Sequence, residues 1–587
     1  MCGFVGFTSN KVDDGNKIIN EMAKAIEHRG SDKVNFHCDE DISLGFRQLS
    51  FFGESHGKQP FQNEEKNLTI VYNGDVDNSP QSLLQLYKEH GEDMVHHAAA
   101  GFAFVIFDHT TGQLFAARDH FGIKPLYYAV IEGELVFASE LKAFFAYPLF
   151  EKKINPEALE QYLSFQYSVL DESFFKGVFR LPPAHFLKFK DGEVQLQKYW
   201  QAEYSPQERP VDDIVNDIDD VVVKSVNRHK TEGALLSSGL DSSYITSVSK
   251  GLKKTFTVGF DYAGFSEIEM AEKLSEEKGI ENFSKVITTE EFWGVLPKIQ
   301  YYIDEPLADP AAVAFYFACQ IAKENGIECV FSGEGADEFF GGYGIYKEPV
   351  DLAPLTRFPL GLRKALACVA RAIPFKFKGK NYAIRAATPV EKRFIGNAYI
   401  FTEKERLDIL KIPTGAKISD VVDPIYNVAK NQDDVTKMQH LDVHLWMVGD
   451  IMHIADRISM VHSLEVRVPF ADRAVFDVAS KTPTRYRVNK QATKYAFRKA
   501  ATRHFADRRP KNRLGFPVPT RLWLQEEKYY NIVLDAFKQD FVGEFFKMDK
   551  LMKLLDDHKA KKVDNGKKIW TIYTFILWHQ EHFRNNV

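Results

Sequence analysis

A cysteine at the second position is the first residue in the chain whose type and place could do chemistry. A small second residue generally permits removal of the initiator methionine, and Cys2 would then carry both a thiol and a free α-amine. An α-amine has an unperturbed pKa of about 8, so near neutral pH it can accept the proton of an attacking thiol. Cys2 is therefore a candidate nucleophile that needs no separate histidine. The alternative is a chance cysteine at a frayed terminus.

Other short motifs could complete a site around Cys2. Asn73 and Gly74 end an apolar run, and an amide side chain beside a backbone N–H is a pair of donors suited to an oxyanion. His28-Arg29-Gly30 precedes this pair, and RDHFGIKPLYY (118–128) follows it. Taken alone, Asn-Gly after a strand indicates only a tight turn.

A serine-rich segment, LLSSGLDSS (235–243), follows an apolar strand in the second part of the chain. Its small residues allow backbone N–H groups to approach a phosphate, and the N-terminus of the next helix favours the negative charge. It is not a Walker A loop, because no Gly-Lys-Ser/Thr follows. The alternative is a serine-rich helix cap.

An acidic segment, SGEGADEFFGGY (332–343), follows the short apolar run CVF. It concentrates three carboxylates and four glycines, and carboxylates that close repel one another unless a metal ion or a base role compensates them. A solvated acidic loop is the alternative, but it accounts poorly for the flanking glycines and the Phe339-Phe340 pair.

The elements that must position these motifs are of two kinds. The first third has short alternating or apolar runs bounded by Gly, Asp or Asn, which predicts a β-rich domain over 1–200; the runs are LTIVYNGD (68–75), GFAFVIFD (101–108), QLFAARD (113–119) and GELVFASE (133–140). Residues 201–213 are polar and contain proline, and we predict a linker there. Beyond it, short apolar strands alternate with helical segments, which predicts a parallel sheet with its chemistry at the strand C-termini in a domain over 214–587. From about Asp442 onward the pattern is mainly helix and loop.

Composition excludes several classes of function. The 587 residues carry a formal charge of −6, which gives no electrostatic footprint for nucleic acid or an anionic membrane. No apolar run is long enough to span a bilayer, and the start does not resemble a signal peptide. The five cysteines are scattered and show no metal-binding spacing, so we expect a reducing cytoplasm and neither a disulfide framework nor a structural zinc site.

Together these motifs resemble one family, the glutamine-hydrolysing asparagine synthetases of the bacterial type. The likeness covers nearly the whole chain, and further matching stretches are FTVGF (256–260), DEPLADPAA (304–312), ADRISMVHSLEVRVPF (455–470), TKYAFRKA (493–500) and RLGFPVP (513–519). The resemblance implies an α+β N-terminal-nucleophile sandwich (αββα), a class II glutamine amidotransferase domain. It is followed by an α/β parallel-sheet PP-loop ATP pyrophosphatase domain.

The resemblance also implies a reaction in two compartments. Cys2 would attack the side-chain amide of glutamine and release ammonia, leaving a thioester for water to hydrolyse. In the second site ATP, with Mg²⁺, would adenylate a carboxylate, and ammonia delivered through a tunnel would displace AMP. The expected partners are small-molecule substrates and a second copy of the chain in a homodimer, with no nucleic acid and no membrane.

Residue roles carry over from the family position by position. The catalytic residues are Cys2, Asn73, Gly74, Glu334 and Lys494, with Glu334 as the base for ammonia and Lys494 stabilising phosphate charge. The glutamine-binding residues are Arg47, Gln48, Leu49, Asn73, Gly74 and Asp75. The ATP-binding residues are Leu236, Ser237, Gly239, Asp241, Ser242, Val258, Gly259, Ser332 and Gly333. Asp241 and Asp337 would bind Mg²⁺ through pyrophosphate. For Lys494 and Asp456 an exposed helix charge is the alternative.

The glutamine pocket departs from the family pattern. Where the family reads R-R-L-S-I, this chain has Arg47-Gln48-Leu49-Ser50-Phe51, so an amide replaces the arginine that grips the glutamine carboxylate. A helix and loop ending in an S-D-T-E type run is missing after Asn78. Ser31 replaces a proline, and Ser238 replaces the first PP-loop glycine. Our hypothesis is that glutamine binds poorly and that free ammonia is the better nitrogen source. The rival is a rearranged pocket that accepts glutamine or another amide.

Three functions stay open at this stage. The first is amidation of aspartate, and the second is amidation of another carboxylate, such as diaminopimelate in a cell-wall precursor. The third is a non-catalytic relative kept for binding or regulation, against which Cys2, Asp241, Glu334 and Lys494 count. An amidotransferase acting on a phosphoribosyl diphosphate is disfavoured, because its second domain would not carry this PP-loop.

Overall fold

The computed structural model of the chain describes residues 2–8, 12, 14–50, 58–74, 78–98, 101–261, 267–373, 379–506 and 518–584. The strands of the first part are β1 (Gly3–Thr8), β2 (Lys33–Cys38), β3 (Ile42–Gln48), β4 (Phe61–Gln62), β5 (Leu68–Gly74), β6 (Phe102–Asp108), β7 (Gln113–Arg118), β8 (Tyr127–Ile131), β9 (Glu134–Ala138), β10 (Phe179–Arg180), β11 (His185–Lys190) and β12 (Glu193–Lys198). The strands of the second part are β13 (Gly233–Leu235), β14 (Lys254–Phe260), β15 (Glu281–Ile287), β16 (Cys329–Phe331) and β17 (Glu465–Arg467).

The helices up to the acidic segment are α1 (Gly15–Ala25), α2 (Pro80–His90), α3 (Pro156–Phe165), α4 (Val211–Arg228), α5 (Leu240–Val248), α6 (Ile268–Lys278), α7 (Thr289–Tyr302), α8 (Ala311–Glu324) and α9 (Ala336–Phe340). Those beyond it are α10 (Glu348–Thr356), α11 (Leu360–Ala372), α12 (Lys380–Ala386), α13 (Val390–Arg393), α14 (Glu403–Ile409), α15 (Ile418–Val428), α16 (Asp434–His444), α17 (Met452–Met460), α18 (Arg473–Lys481), α19 (Thr484–Arg487), α20 (Tyr495–Ala501), α21 (Thr520–Trp523), α22 (Glu527–Phe537), α23 (Val542–Phe545), α24 (Met548–Lys559) and α25 (Gly566–Phe583). Short 3₁₀ turns cover Glu27–Arg29, Gly91–His96, Leu141–Ala146, Gly344–Lys347 and Pro469–Ala471, and a π-helical turn covers Met447–Ile451.

The first domain is a sandwich of two antiparallel six-stranded sheets. Their strand orders are β10-β8-β9-β1-β3-β2 and β12-β11-β7-β6-β5-β4. Apolar side chains of both inner faces, among them Phe4, Phe46, Val71 and Val105, form the layer between the sheets. Helix α1 covers the outer face of the first sheet and α2 covers that of the second. This arrangement confirms the predicted αββα sandwich.

The second domain contains one parallel sheet in the order β15-β14-β13-β16-β17. Its central strands β13, β14 and β16 are almost entirely buried, as expected for a sheet covered by helices on both faces, whereas the edge strand β15 is largely exposed or half-buried. The chain runs outward from β13 through β14 to β15 and then returns to β16 on the other side of β13. The strand order therefore reverses between β13 and β16, and loops at such a switch point form a crevice for ligands. The predicted parallel sheet is confirmed.

The segment predicted as a linker, residues 201–213, lies against the second domain. Ala202 and Tyr204 are buried, the amides of Ser205 and Gln207 donate to the carbonyls of Ser480 and Lys481, and α4 begins at Val211. A continuous buried core joins the two domains. None of the described helices is long and apolar enough to cross a membrane.

Candidate active sites

Cys2 lies immediately before β1, at one end of the cleft between the two sheets of the sandwich. Its side chain is buried, and its backbone N–H donates to the Asn73 Oδ1 atom over 3.1 Å. The Sγ atom lies 4.0 Å from the backbone carbonyl oxygen of Leu49. Burial raises the pKa of the Cys2 thiol. The thiol is therefore protonated near neutral pH, and nucleophilic attack needs a base close by.

The predicted oxyanion donors stand at the end of β5, beside Cys2. Asn73 is buried, and because its Oδ1 atom is held by Cys2, its Nδ2 atom is left without a hydrogen-bond partner among the described residues. A buried amide donor without a partner costs free energy unless a ligand uses it. Gly74 has no room for a side chain, because a Cβ atom would lie 2.2 Å from the Tyr72 hydroxyl oxygen. The structure thus places Cys2 beside Asn73 and Gly74, and their catalytic roles stay predictions.

The residues expected to grip glutamine lie on β3 and just after it. The Arg47 Nε atom donates to the Ala23 carbonyl over 2.9 Å, so its guanidinium is held on the outer side by α1. Gln48 is buried and donates to the Ser50 Oγ atom over 3.3 Å. Because neighbours on a strand face opposite ways, the side chain of Gln48 points away from α1. The predicted glutamine contact Asp75 falls outside the described residues.

The serine-rich loop joins β13 to α5. Ser237 donates its backbone N–H to Ser242 Oγ over 3.1 Å, and Gly239 donates its own to Ser237 Oγ over 3.1 Å. The Ser238 N–H donates to the Glu267 carboxylate over 3.1 Å, so an anionic group already occupies one backbone donor of this loop. Backbone amides and hydroxyls converging at a helix N-terminus suit a phosphate.

The acidic loop meets the serine-rich loop in space. A Cβ atom on Gly333 would lie 3.1 Å from the Asp241 Cβ atom and from the Ser242 backbone nitrogen, so the two loops are in contact there. Ser332 is held at the end of β16 by a 2.9 Å hydrogen bond from its N–H to the Arg467 carbonyl. The contact follows from the strand order, because these loops leave β13 and β16 at the switch point of the sheet.

Lys494 ties the two loops together with charge. Its Nζ atom lies 2.6 Å from Asp241 Oδ1 and 2.6 Å from Asp337 Oδ1, and the side chain is buried. The residue has a left-handed backbone with φ of 52°, an uncommon conformation for lysine that recurs at functional sites. Gly342 leaves the room for this pair, since a Cβ atom there would lie 2.4 Å from the lysine Cε atom. The alternative of an exposed helix charge is wrong for Lys494.

Two carboxyl groups of the acidic loop are hard to ionise. Burial, with Asp337 and Asp241 nearby, raises the pKa of Glu334 to about 7, although a hydrogen bond from Ser332 opposes the shift. Burial also raises the pKa of Glu338 to about 8, and that group accepts a 2.6 Å hydrogen bond from the Tyr343 hydroxyl. A base with a pKa near the working pH suits proton transfer, which favours Glu334.

The remaining predicted nucleotide contacts flank these loops. Leu236 donates its backbone N–H to the Phe256 carbonyl over 2.9 Å and is buried beside β14. Val258 and Gly259 lie at the carboxyl end of β14, one strand away from the serine-rich loop. All described residues predicted to bind the nucleotide therefore lie at one edge of the sheet.

The oxygen ligands that Mg²⁺ prefers are present in this crevice. Asp241 and Asp337 turn carboxylate oxygens toward the same ammonium group, so the two side chains converge on one point. Mg²⁺ usually binds through one or two carboxylates together with substrate phosphates. The donor set therefore fits the predicted role of these two aspartates.

A buried network of charges connects the two domains and was only partly predicted. Arg29, beside Cys2, donates to both carboxylate oxygens of Asp456 at 2.7 and 2.8 Å and to Glu140 at 2.8 Å. Its Nε atom donates to the Cys2 carbonyl over 3.3 Å. Asp456 is also 3.1 Å from Arg457, so the alternative of an exposed helix charge is wrong for Asp456. Sequence patterns could not pair residues more than four hundred positions apart.

A second buried ion pair crosses the domain boundary close to Cys2. The Lys124 Nζ atom lies 3.1 Å from the Glu465 Oε1 atom, and both side chains are nearly inaccessible to solvent. Both lie in stretches matched to the family, RDHFGIKPLYY and ADRISMVHSLEVRVPF, but the sequence alone predicts no role for either residue. The Arg467 guanidinium also faces Glu465, so this carboxylate has a second positive neighbour besides Lys124.

One group outside both sites also has metal-ligating side chains. The group consists of His37, Asp39 and His109, near the surface. Each offers one ligand atom, and these three atoms lie within 4.8 Å of one another. Ordinary hydrogen bonds account for their positions, since His37 and Asp39 are 2.8 Å apart and His109 lies 2.8 Å from the Thr69 hydroxyl. We assign no metal to this group.

Comparison with known proteins agrees with this geometry. The asparagine synthase family model matches residues 217–580, and the glutamine amidotransferase domain model matches residues 1–82 and 80–200. The two segments of the second match meet where the sequence lacks the expected helix and loop. Bacillus subtilis asparagine synthetase [glutamine-hydrolyzing] 1 is 38% identical over 615 residues, covering 99% of this chain and 96% of that protein.

More distant relatives include one with a similar name and one with a different name. A Mycobacterium tuberculosis protein provisionally named asparagine synthetase [glutamine-hydrolyzing] is 32% identical over 99% of this chain and 97% of its own. Amidase chry2 of Gibberella zeae is 26% identical over 82% of this chain and 83% of its own.

Proposed function

The chain belongs to the asparagine synthase family, and we propose that it converts aspartate to asparagine, cleaving ATP to AMP and pyrophosphate. Ammonia comes either from glutamine or from solution. The observation that carries the proposal is the position of Lys494, whose Nζ atom lies 2.6 Å from both Asp241 and Asp337. That contact makes the serine-rich and acidic loops two walls of one nucleotide site.

Activation of the acceptor takes place in this crevice. The acceptor carboxylate attacks the α-phosphorus of ATP, the bond from that phosphorus to the bridging oxygen breaks, and pyrophosphate leaves. Donors of the serine-rich loop and the Lys494 ammonium stabilise negative charge on the departing phosphates. Asp241 and Asp337 would hold Mg²⁺, which supplies further neutralisation of phosphate charge when bound.

Amide formation uses the raised pKa of Glu334. Ammonia attacks the acyl carbon of the adenylate, and its nitrogen becomes acidic once that bond has formed. Glu334, with a pKa of about 7, accepts a proton from this nitrogen, and AMP leaves with the bonding electrons. The products are the side-chain amide and AMP.

Glutamine hydrolysis takes place at Cys2 once the initiator methionine has been removed. The α-amine takes the thiol proton, and the sulfur attacks the side-chain amide carbon of glutamine. The Asn73 Nδ2 atom, which lacks a partner among the described residues, and the Gly74 N–H stabilise the resulting oxyanion. Ammonia leaves with the transferred proton, and water then hydrolyses the thioester to glutamate.

Binding of the glutamine carboxylate is expected to be weak in this site. Gln48 replaces a guanidinium with an amide, and Arg47 is held by the Ala23 carbonyl on the α1 side. A neutral amide gives a weaker hold on a carboxylate than a bidentate guanidinium does. We therefore propose that free ammonia supports faster turnover than glutamine, while the bond-breaking groups stay competent.

Pyrophosphate release under defined substrates tests the proposal. Purified protein receives ATP, Mg²⁺ and aspartate, with ammonium and glutamine in separate reactions, and AMP, pyrophosphate and asparagine are measured. We expect all three products in equal amounts, with ammonium the better donor. If pyrophosphate is released with a diaminopimelate-containing acceptor but not with aspartate, that acceptor and not aspartate is the substrate. No pyrophosphate with either acceptor would overturn the proposal. A homodimer and a cytoplasmic location remain predictions.

A further inference from the structure

The serine-rich loop has a backbone donor that is not used within the loop itself. The N–H groups of Ser237 and Gly239 donate inside the loop, to Ser242 Oγ and to Ser237 Oγ, each over 3.1 Å. The N–H of Ser238, between them, donates over 3.1 Å to the carboxylate of Glu267, a residue 29 positions away in the chain. A backbone N–H just before a helix N-terminus is the kind of donor that binds a phosphate oxygen. In the free protein a carboxylate holds that donor.

Glu267 reaches this loop instead of serving its own helix. It is the N-cap residue of α6, yet its side chain accepts no hydrogen bond from the first turn of that helix. Among the described residues its carboxylate forms no ion pair, and the Ser238 N–H is the donor that holds it. Nor does it join Asp241 and Asp337, the two carboxylates that contact Lys494. The Glu267 carboxylate therefore sits on the loop as an external anion would.

A bound nucleotide and the Glu267 carboxylate would compete for the same donor. The triphosphate of ATP is negatively charged, so a phosphate oxygen on the Ser238 N–H would repel a carboxylate at contact distance. We propose that Glu267 is an internal competitor of the nucleotide, which blocks the serine-rich loop in the free protein and is displaced when ATP binds. This inference rests on the proposed function, because it takes the loop as the phosphate site.

Helix α6 is held lightly enough to move with Glu267. Of its eleven residues, Ala271 and Ser275 are the buried ones. Ser275 shares a 2.7 Å hydrogen bond with Thr255 of β14, so the second half of the helix is fixed to the sheet. Because the first half buries little apolar surface, it can open at a lower cost in free energy than a core helix. Displacement of the carboxylate should therefore loosen the start of α6, which links nucleotide binding to movement of this helix.

Binding measured by calorimetry without an acceptor tests the proposal separately from catalysis. Parent protein and Glu267→Gln are titrated, with Mg²⁺ present, with pyrophosphate or with an ATP analogue whose α,β-bridging oxygen is a methylene group. The amide keeps the shape of the side chain but loses its charge, so both ligands should bind about tenfold more tightly to the variant. Glu272→Gln, exposed on the same helix, removes the same charge away from the loop and should bind as the parent does.

Hydrogen exchange along α6 gives a second measurement. In the parent the analogue should speed exchange of the amides in the first half of α6. In Glu267→Ala these amides should exchange at the faster rate with or without the analogue. Both Glu267 variants should keep the far-UV circular dichroism of the parent.

The outcomes separate this inference from the proposed function. Equal binding of the analogue to parent and Glu267→Gln would overturn the inference and leave the nucleotide site in place. Weaker binding to the variant would also overturn it, and would assign Glu267 to holding the bound nucleotide or its metal ion. No binding to either protein would overturn the inference together with the phosphate role of the serine-rich loop.

Discussion

The glutamine site and the nucleotide site differ in how their charges are arranged. Around Lys494 the nucleotide crevice keeps two carboxylates and an ammonium in direct contact at 2.6 Å. The glutamine cleft keeps its bond-breaking groups, Cys2 and the Asn73 amide, but its side-chain grip is the neutral Gln48. In the proposed function, the groups that break the glutamine amide bond are therefore different residues from those that hold glutamine, and a substitution can change one without the other.

A network of buried ion pairs connects the two sites across the domain boundary. Arg29 contacts the Cys2 carbonyl on one side and Asp456 of α17 on the other. Ion pairs desolvated in this way stabilise only when every partner is present, since a lone buried charge is costly. A substitution at this boundary should therefore lower the activity of both sites. A substitution inside one cleft should lower the activity of that site alone.

Cys2→Ala should produce the largest difference between the activities of the two sites. Without the sulfur nucleophile, glutamine hydrolysis should fall by about 10⁴-fold or more, while pyrophosphate release driven by ammonium should stay unchanged. Ammonium-driven and glutamine-driven rates are measured side by side, with glutamate release as a direct readout. Cys38→Ala, in the same domain, serves as the matched control and should alter neither rate. Glutamate release that survives Cys2→Ala would remove Cys2 from its assigned role.

Lys494→Gln should affect the nucleotide site alone. Loss of the ammonium should lower pyrophosphate release by about 10²- to 10³-fold with either nitrogen donor, because phosphate charge is no longer stabilised. Glutamine hydrolysis without ATP should continue. If pyrophosphate release and glutamine hydrolysis fall together, Lys494 does not act in the nucleotide site alone. Lys499→Gln, on the same helix but exposed, is the control.

Glu334→Gln should lower ammonium-driven amide formation by about 10²-fold or more, the usual contribution of a positioned base. In the parent protein the rate, referred to the concentration of NH₃, should rise with pH through about 7 as Glu334 loses its proton. Glu328→Gln, exposed just before β16, should keep the parent profile. A profile that stays the same in Glu334→Gln would exclude this carboxylate as the base.

The same substitution gives a smaller effect on stability. The folded-state pKa of Glu334, about 7, lies above its ordinary value of 4.5, so ionisation is easier in the unfolded chain. The carboxyl therefore destabilises the fold increasingly as pH rises from 4.5 to about 7. Glu334→Gln removes this cost, so the gain in Tm over the parent should be larger at high pH than at low pH. An equal gain at both would contradict the raised pKa.

Gln48→Arg should give the smallest change in activity of these variants. It tests most directly whether the two sites differ in how they hold their substrates. A guanidinium in place of the amide strengthens the grip on the glutamine carboxylate by about 1 to 2 kcal/mol. The KM for glutamine should then fall about 5- to 30-fold while kcat changes little. Gln81→Arg, exposed on α2, adds the same charge away from the cleft and should not change KM. No fall in KM would favour a rearranged pocket.

Much of this fold could be predicted from the sequence. Short apolar runs bounded by turn residues marked β5, β6, β7 and β9, and those of the second part marked β13, β14 and β16, because a strand buried on one or both faces leaves a local pattern. The motifs around Cys2, Ser237 and Glu334 were recognisable for the same reason. The buried partners of Arg29 and Lys124 were not, because nothing local in a sequence specifies which distant charge will face them.

The sequence by itself determined which groups are available: a terminal thiol, an amide beside a glycine, two loops rich in small or acidic residues, and a lysine far along the chain. Only the tertiary structure decided that the two loops touch, because the order of parallel strands brings the ends of β13 and β16 together. It also decided that Glu334 resists ionisation, because burial raises the pKa of its carboxyl group. Burial and electrostatic interaction depend on what lies nearby in space, and the chain order does not contain that information.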